Sequence, residues 1–226
     1  MKRVFGVASL IAALSACGGS SSSTPTTTPS PTPAPAPTTG PFQGTISGNS
    51  GQTGTLSVTI EAQVSGSVHV AGGTLTSLTG TRDPSTNDVN LSGGGFTFAG
   101  RISGGVLAGR YTSLNNSDGA FSSLNATNTT VTTFCGTYGS PGGESGIYDV
   151  QVSTNGTASG DGISTTTIHG GFLLTGQLTG TTLTMTQVDI ETGHTIGTHS
   201  MTVQGGTVSG TCGPGCSLNA STSRCQ

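Results

Sequence analysis

Short runs of alternating apolar and polar residues dominate the chain from residue 42 onward. In Thr55-Leu56-Ser57-Val58-Thr59-Ile60 the apolar side chains fall on one side and the hydroxyl side chains on the other. This period of two is typical of a β-strand with one buried face. Glycine pairs such as Gly104-Gly105 and Gly205-Gly206 separate the runs at hairpin spacing. The pattern predicts an all-β fold, an antiparallel meander rich in Gly and Thr.

The β-rich region repeats itself once. Phe42-Gln43-Gly44-Thr45-Ile46 aligns with Phe134-Cys135-Gly136-Thr137-Tyr138, an offset of 92 residues. Near the far end, the segment from Ile102 to Tyr111 aligns with that from Val203 to Cys212, an offset of 101 residues. Because a meander of this size can close on itself, the duplication predicts two small β-barrel-like units. One larger barrel or a sandwich is the alternative.

These patterns divide the chain into six segments. They are a signal peptide (1–16), a cysteine followed by a Pro/Thr/Ser-rich tether (17–41), the first β repeat (42–113), a polar connector (114–133), the second β repeat (134–213) and a cysteine-containing tail (214–226). Alternating Pro with Thr, Ser and Ala favours an extended polyproline conformation, so the tether can hold a folded module away from a surface.

The N-terminus has the features of an export signal. Lys2 and Arg3 precede an apolar stretch from Val4 to Leu14, which is too short to span a bilayer. The following Leu14-Ser15-Ala16-Cys17 resembles the lipobox of bacterial lipoproteins. The resemblance implies that Cys17 becomes a lipidated N-terminus and that the membrane is a partner through this anchor. In that family an Asp directly after the cysteine commonly retains the protein in the inner membrane; Gly18 at that position favours the outer membrane or cell surface.

Charge and composition narrow the classes of partner. Without residues 1–16 the chain keeps four arginines against nine acidic residues, a net charge of −5. This excess of acidic residues excludes electrostatic binding to the phosphate backbone of nucleic acid. With 39 glycines and 4% aromatic residues the cores are expected to be thin. No sequence feature calls for a cofactor.

Four cysteines beyond Cys17 predict two disulfides in an exported chain: Cys135, Cys212, Cys216 and Cys225. Three pairings are possible. If each repeat closes on itself, the first and last strands of the second repeat become neighbours, which favours Cys135–Cys212 with Cys216–Cys225. A zinc site built from Cys212, Cys216 and Cys225 is the rival interpretation, and an oxidising compartment disfavours it.

Titratable residues gather only between Asp189 and His199. Asp189, Glu191, His194 and His199 are weak candidates for a metal site, since carboxylates and imidazoles both bind divalent ions. A hairpin centred near Gly193 would place His199 opposite Gln187, well below the tip. A solvated hairpin tip is therefore the preferred interpretation, and no metal is predicted.

Three classes of function remain. No nucleophile elbow, metalloprotease helix motif or phosphate loop occurs in the sequence. The preferred hypothesis is a non-enzymatic, lipid-anchored envelope lipoprotein that displays a β-rich binding or structural module. The first alternative is a carrier that holds a small apolar ligand inside a barrel, although sparse aromatic residues do not favour it. The second is an envelope hydrolase or metal-binding protein with a dispersed site.

Overall fold

The structure, a computed structural model, describes residues 36–114, 118–166, 170–212 and 215–226. The signal peptide, Cys17 and most of the tether lie outside these ranges. Within them, no helix combines the length and apolar character needed to cross a bilayer.

Two closed antiparallel barrels of eight strands each make up the described part of the chain, which confirms the all-β fold and the two barrel-like units. Barrel 1 contains β1 (Gly40–Gly48), β2 (Thr53–Ile60), β3 (Val64–Val70), β4 (Leu75–Arg82), β5 (Asp88–Gly93), β6 (Phe96–Ser103), β7 (Val106–Thr112) and β8 (Asp118–Asn125). Barrel 2 contains β9 (Val131–Gly139), β10 (Ser145–Ser153), β11 (Thr157–Ser164), β12 (Phe172–Thr179), β13 (Thr182–Asp189), β14 (Thr195–Gln204), β15 (Thr207–Thr211) and β16 (Ser217–Ser221), followed by a short 3₁₀ helix (Thr222–Cys225). Each barrel closes by pairing its first strand with its last.

Glycine pairs form the tight hairpins that the sequence predicts. Gly104 and Gly105 join β6 to β7 with φ of 58° and 80°, and Gly205 and Gly206 join β14 to β15 with 57° and 81°. Two successive positive φ values suit a two-residue hairpin turn, and glycine adopts them without steric cost. The same turn at matching places in both barrels fits the internal duplication.

The eighth strand of each barrel lies outside the predicted repeat, so two of the predicted boundaries were wrong. The polar connector (114–133) contains β8, and the tail (214–226) contains β16. β8 could not be recognised from the sequence because its outward face is buried as well as its inward face. The outward residues Ala120, Ser122 and Leu124 are at most 2% exposed. Packing against barrel 2 removes the alternation that marks a half-exposed strand.

The missed strand β16 also explains the error in the favoured disulfide pairing. It lies between β15 and β9, so Cys212 at the end of β15 is two strands away from Cys135 on β9. The structure instead joins Cys135 to Cys225, and Cys212 to Cys216. The first bond fastens the C-terminal 3₁₀ helix onto β9, and the second closes a short loop before β16.

Candidate functional site

The two barrels pack against each other through the outward faces of four strands. β1 and β8 of barrel 1 lie against β10 and β11 of barrel 2, all within one compact unit of the chain. The outward residues of β10 and β11 are buried although they point away from their own core; they include Asp149, Gln151, Ser159 and Asp161. The contact surface is therefore rich in polar side chains that have lost water and must find partners in protein.

Two buried carboxyl groups, Asp149 and Asp161, form the centre of this surface. They are cross-strand partners on β10 and β11 and are both fully buried. Asp161 accepts hydrogen bonds from Thr45 Oγ1 at 2.6 Å and Ser47 Oγ at 2.7 Å, both on barrel 1. Asp149 accepts one from the Gly136 backbone N–H at 2.9 Å and another from Thr53 Oγ1 at 2.5 Å. This carboxyl pair therefore ties the barrels together through hydroxyl groups.

Hydrogen counting around Ser47 favours one proton held by the pair. Ser47 Oγ lies 2.7 Å from Asp161 Oδ2 and 3.2 Å from Asp149 Oδ2. A hydroxyl has one proton and can donate to only one of them. The shorter contact fits an ionised Asp161 as acceptor, since bonds to a charged acceptor are shorter. The contact with Asp149 is then a hydrogen bond only if Asp149 is protonated and donates to Ser47.

The pKa values of the two carboxyls agree with this proton count. Burial, and after it the charge of Asp161, raises the pKa of Asp149 well above its usual range. Burial raises the pKa of Asp161 to about 7, while hydrogen bonds from Thr45 and Ser47 act in the opposite direction. Two carboxyls that share one proton can carry out acid–base chemistry, but this pair is enclosed between the barrels. We therefore assign it to holding the barrels together.

A cavity of about 430 Å³ opens at one end of barrel 2. We call it the mouth pocket; its lining includes Tyr138, Tyr148, Phe172, Glu144, Gln187 and Asp189. The ring of Phe172 contacts both tyrosines, with centroids 5.9 Å from Tyr138 and 5.8 Å from Tyr148. Three of the four aromatic residues of barrel 2 thus form one wall. A cavity of this size with an apolar wall and a few polar groups is typical of a small-molecule site.

The corresponding end of barrel 1 is filled by aromatic side chains. Phe98 stacks on Tyr111 with centroids 5.3 Å apart, and Phe96 and Phe121 pack on these rings. The repeat alignment at an offset of 101 residues sets Gly197, His199 and Cys212 of barrel 2 against Phe96, Phe98 and Tyr111 of barrel 1. The strand register supports this alignment. Phe98 pairs with Leu91 in barrel 1 and His199 pairs with Met185 in barrel 2, and Leu91 and Met185 are both core residues. Loss of three aromatic rings therefore accounts for the mouth pocket.

A longer hairpin forms one side of the mouth pocket. Six residues separate Leu91 from Phe98 in barrel 1, whereas thirteen separate the matching Met185 from His199 in barrel 2. Most of the extra length of the second repeat therefore lies in the β13–β14 hairpin. Asp189 and Ile196 from this hairpin line the cavity, and Ile196 is 57% exposed at its rim. The insertion thus supplies additional lining residues to the mouth pocket, which occupies space that aromatic rings fill in barrel 1.

One polar group of the mouth pocket, the Tyr148 hydroxyl, has an unusual environment. The hydroxyl of Tyr148 is buried and has no hydrogen-bond partner among the described residues, although Tyr148 is only 1% exposed. Burial raises the pKa of Tyr148, so this hydroxyl is a neutral donor at physiological pH. A buried polar atom without a partner costs stability and calls for an explanation, which a bound ligand would supply.

The four weak metal candidates separate into three environments. His194 and Glu191 lie exposed at the hairpin, and Glu191 forms an ion pair with Arg110 of barrel 1 at 2.7 Å. The Asp189 carboxylate accepts hydrogen bonds from the Glu191 and Thr192 backbone N–H groups, which form a turn. Among the described residues, no three His, Cys, Asp or Glu side chains lie together so as to hold a metal ion.

His199 lies inside barrel 2, behind the mouth pocket. Its Nε2 lies 2.6 Å from Gln187 Oε1, and burial lowers its pKa. It pairs with Met185 rather than with Gln187 as predicted, because the turn is centred between Glu191 and Thr192 rather than near Gly193, and the Asp189 N–H donates to the His194 carbonyl. His199 therefore holds the side chain of Gln187, which reaches the cavity.

The sequence patterns do not predict the carboxyl pair or the aromatic wall. Asp149 alternates with Tyr148 and Val150, so the strand pattern places it on an exposed face. No local signal shows that a second barrel covers that face. A usable signal for the mouth pocket does exist, since the repeat alignment already sets Cys212 against Tyr111.

The chain matches no family model and no curated protein sequence. Any function must therefore be argued from the geometry of the barrels themselves.

Proposed function

We propose that this protein is a lipid-anchored envelope lipoprotein whose second barrel binds a small molecule. The mouth pocket carries the proposal. Its volume of about 430 Å³ lies within the range of small-molecule sites, and it joins an aromatic wall to a few polar groups. In this assignment barrel 1 is the filled, structural copy, and the tether presents both barrels away from the membrane. This proposal combines two hypotheses from the sequence, a displayed binding module and a carrier of a small ligand.

The low aromatic content of the whole chain argues against a ligand carrier, but the positions of the aromatic residues in barrel 2 favour one. Aromatic residues are few in the chain, but barrel 2 concentrates three of its four around the cavity. A small-molecule site needs a local apolar wall, and the average composition does not determine it.

Replacing Cys17 by Ser is expected to release the protein from the membrane. The thiol would carry the lipid, and serine cannot form the thioether of that anchor. The wild-type chain should enter the detergent phase on partitioning and carry acyl mass at its mature N-terminus, whereas Cys17→Ser should stay in the aqueous phase. Equal partitioning of both proteins would remove the anchor from the proposal.

Replacing Gly197 by Phe is expected to abolish binding in barrel 2. Gly197 alternates with buried His199 and Met201 on the inward face of β14, and a Cβ there would meet only His199 Cε1, at 3.9 Å. The new ring would restore the aromatic residue of barrel 1 and occupy the cavity. With benzyl alcohol as probe in ligand-observed NMR, binding should weaken at least about 10-fold.

Thr198→Phe is the matched control for this variant. Thr198 lies on the same strand, but it is exposed and points outward. This variant adds the same ring without reaching the cavity and should bind the probe as the wild type does. If the wild-type protein binds no probe, or if Gly197→Phe binds it unchanged, the mouth pocket is not the site.

A further inference from the structure

We propose that the mouth pocket selects a small organic cation, an amine or quaternary ammonium that also carries a hydrogen-bonding group. This inference rests on the proposed function of barrel 2 and adds the chemical class of its ligand. Three independent features of the lining support it: its charge, its aromatic wall and its unpartnered hydroxyl.

Among the described residues, the charged side chains that line the mouth pocket are both acidic, Glu144 and Asp189. Hydrogen bonds from Thr192 and the Glu191 backbone hold the pKa of Asp189 below its usual range, so this carboxylate is ionised at neutral pH. The wider barrel has the same sign of charge: outside the buried carboxyl pair, residues 131–226 contain one Arg against three acidic residues. This field attracts a cation and repels an anion.

Nearby positive charge does not cancel this field. Arg110 of barrel 1 acts on Asp189 and contributes to its lowered pKa. Its guanidinium, however, is paired with Glu191 at 2.7 Å, outside the lining of the pocket. The hydrogen bonds that Asp189 accepts from described residues all end on Oδ1, which leaves Oδ2 able to accept one from a ligand.

The aromatic wall suits the same class of ligand. Tyr138, Tyr148 and Phe172 stand at tilted or edge-to-face angles around the cavity, with interplanar angles of 66° and 49°. The negative face of an aromatic ring attracts a cation, and alkylated ammonium groups are the ligands that aromatic cages bind. Tyr138 also donates a hydrogen bond to Glu144 Oε1 at 3.2 Å, so one carboxylate is attached to the wall.

The unpartnered hydroxyl of Tyr148 supplies the third requirement. It is buried at the cavity and needs an acceptor, which a purely apolar ligand lacks. A hydroxyl or carbonyl oxygen on the cation would satisfy it. Size, charge and hydrogen bonding therefore all fit a compact amino alcohol or a similar polar ammonium compound.

Choline and its neutral carbon isostere provide the test, because they have the same shape and hydroxyl and differ only in charge. Both would be titrated into the mature, lipidated chain in detergent, and binding measured by calorimetry. Choline is expected to bind about 10-fold or more tightly than the isostere. Equal binding of the two would overturn the cation proposal and leave the mouth pocket as a binding site. Binding of neither would contradict both proposals.

A double variant, Glu144→Gln with Asp189→Asn, tests whether these two carboxylates cause the preference for a cation. It should weaken choline binding about 10-fold and leave the isostere within about 2-fold, because only the charge of the wall changes. Asp83→Asn is the matched control, since Asp83 is an exposed turn carboxylate of barrel 1 that accepts the backbone N–H groups of the residues two and three positions ahead, as Asp189 does. An equal loss for choline and isostere in the double variant would assign the carboxylates to structure and overturn the proposal.

Discussion

Replacing Asp149 by Asn is expected to stabilise the protein at alkaline pH and to leave its stability nearly unchanged in acid. Asparagine resembles a protonated carboxyl group: its oxygen can accept the Gly136 N–H, and its amide can donate to Ser47. The variant should exceed the wild type in free energy of unfolding by about 1.4 kcal/mol for each pH unit above pH 4 over which folded Asp149 keeps its proton, and match it within about 0.5 kcal/mol at pH 4. Thermal or denaturant unfolding across this pH range measures the difference.

The direction follows from the raised pKa values of the carboxyl pair. An unfolded aspartate loses its proton near pH 4, whereas burial raises the pKa of folded Asp161 to about 7 and that of folded Asp149 well above its usual range. Between these values the folded state binds more protons than the unfolded state, so stability falls as the pH rises. The slope is about 1.4 kcal/mol per pH unit for each retained proton. Stabilisation from the pair is thus complete below pH 4 and is lost toward pH 8.

Two comparisons make this prediction specific. His199 acts in the opposite direction below about pH 6.5, because burial lowers its pKa, but it is present in both proteins and cancels in their difference. Asp161→Asn should gain less stability than Asp149→Asn at alkaline pH, by roughly 1 to 3 kcal/mol, since an amide cannot accept hydrogen bonds from both Thr45 and Ser47. If the two variants behave alike, the proton is not held on Asp149.

The strand content of this fold could be predicted from the sequence because alternation and glycine turns are local signals. Val58 and Leu56 alternate with exposed polar residues, and Gly104-Gly105 forms the expected hairpin. The strand pairings that close each barrel could not be predicted in the same way. β8 and β16 are short of apolar residues, and β8 is buried on both faces by a contact that only the assembled barrels create. Missing these strands misplaced two boundaries and, through β16, the disulfides.

The candidate site shows the same limit more strongly. Asp189 was singled out from local clustering of titratable groups, and it does line the mouth pocket, but as a wall residue rather than as part of a metal site. Tyr148 on β10 and Phe172 on β12 meet across Gly162 of the intervening strand β11, which has no side chain to separate the two rings. Comparing the repeats with each other is more informative, because each copy shows what the other has lost. Rings that fill barrel 1 are replaced by Gly197, His199 and Cys212 in barrel 2.

Removing the Cys135–Cys225 disulfide is expected to cost far more stability than removing Cys212–Cys216. The first bond closes a loop with a sequence separation of 90 residues and the second one of 4. In the chain-entropy model these loops stabilise by about 4.5 and about 2 kcal/mol. The longer bond also fastens the C-terminal 3₁₀ helix to β9 next to barrel 1, where Cys135 Sγ lies 4.0 Å from the Gly54 carbonyl oxygen. Both cysteines are buried, so their loss also disturbs packing.

Paired alanine variants test this contrast. Cys135→Ala with Cys225→Ala should lower the free energy of unfolding by about 4 to 5 kcal/mol, and Cys212→Ala with Cys216→Ala by about 2 kcal/mol or less. Peptide mapping without reduction should first recover the two pairings in the wild-type protein. Because Cys212 and Cys216 line the mouth pocket, the second variant should change ligand affinity more than the first does. Equal losses of stability would mean that β16 closes barrel 2 without help from the longer bond.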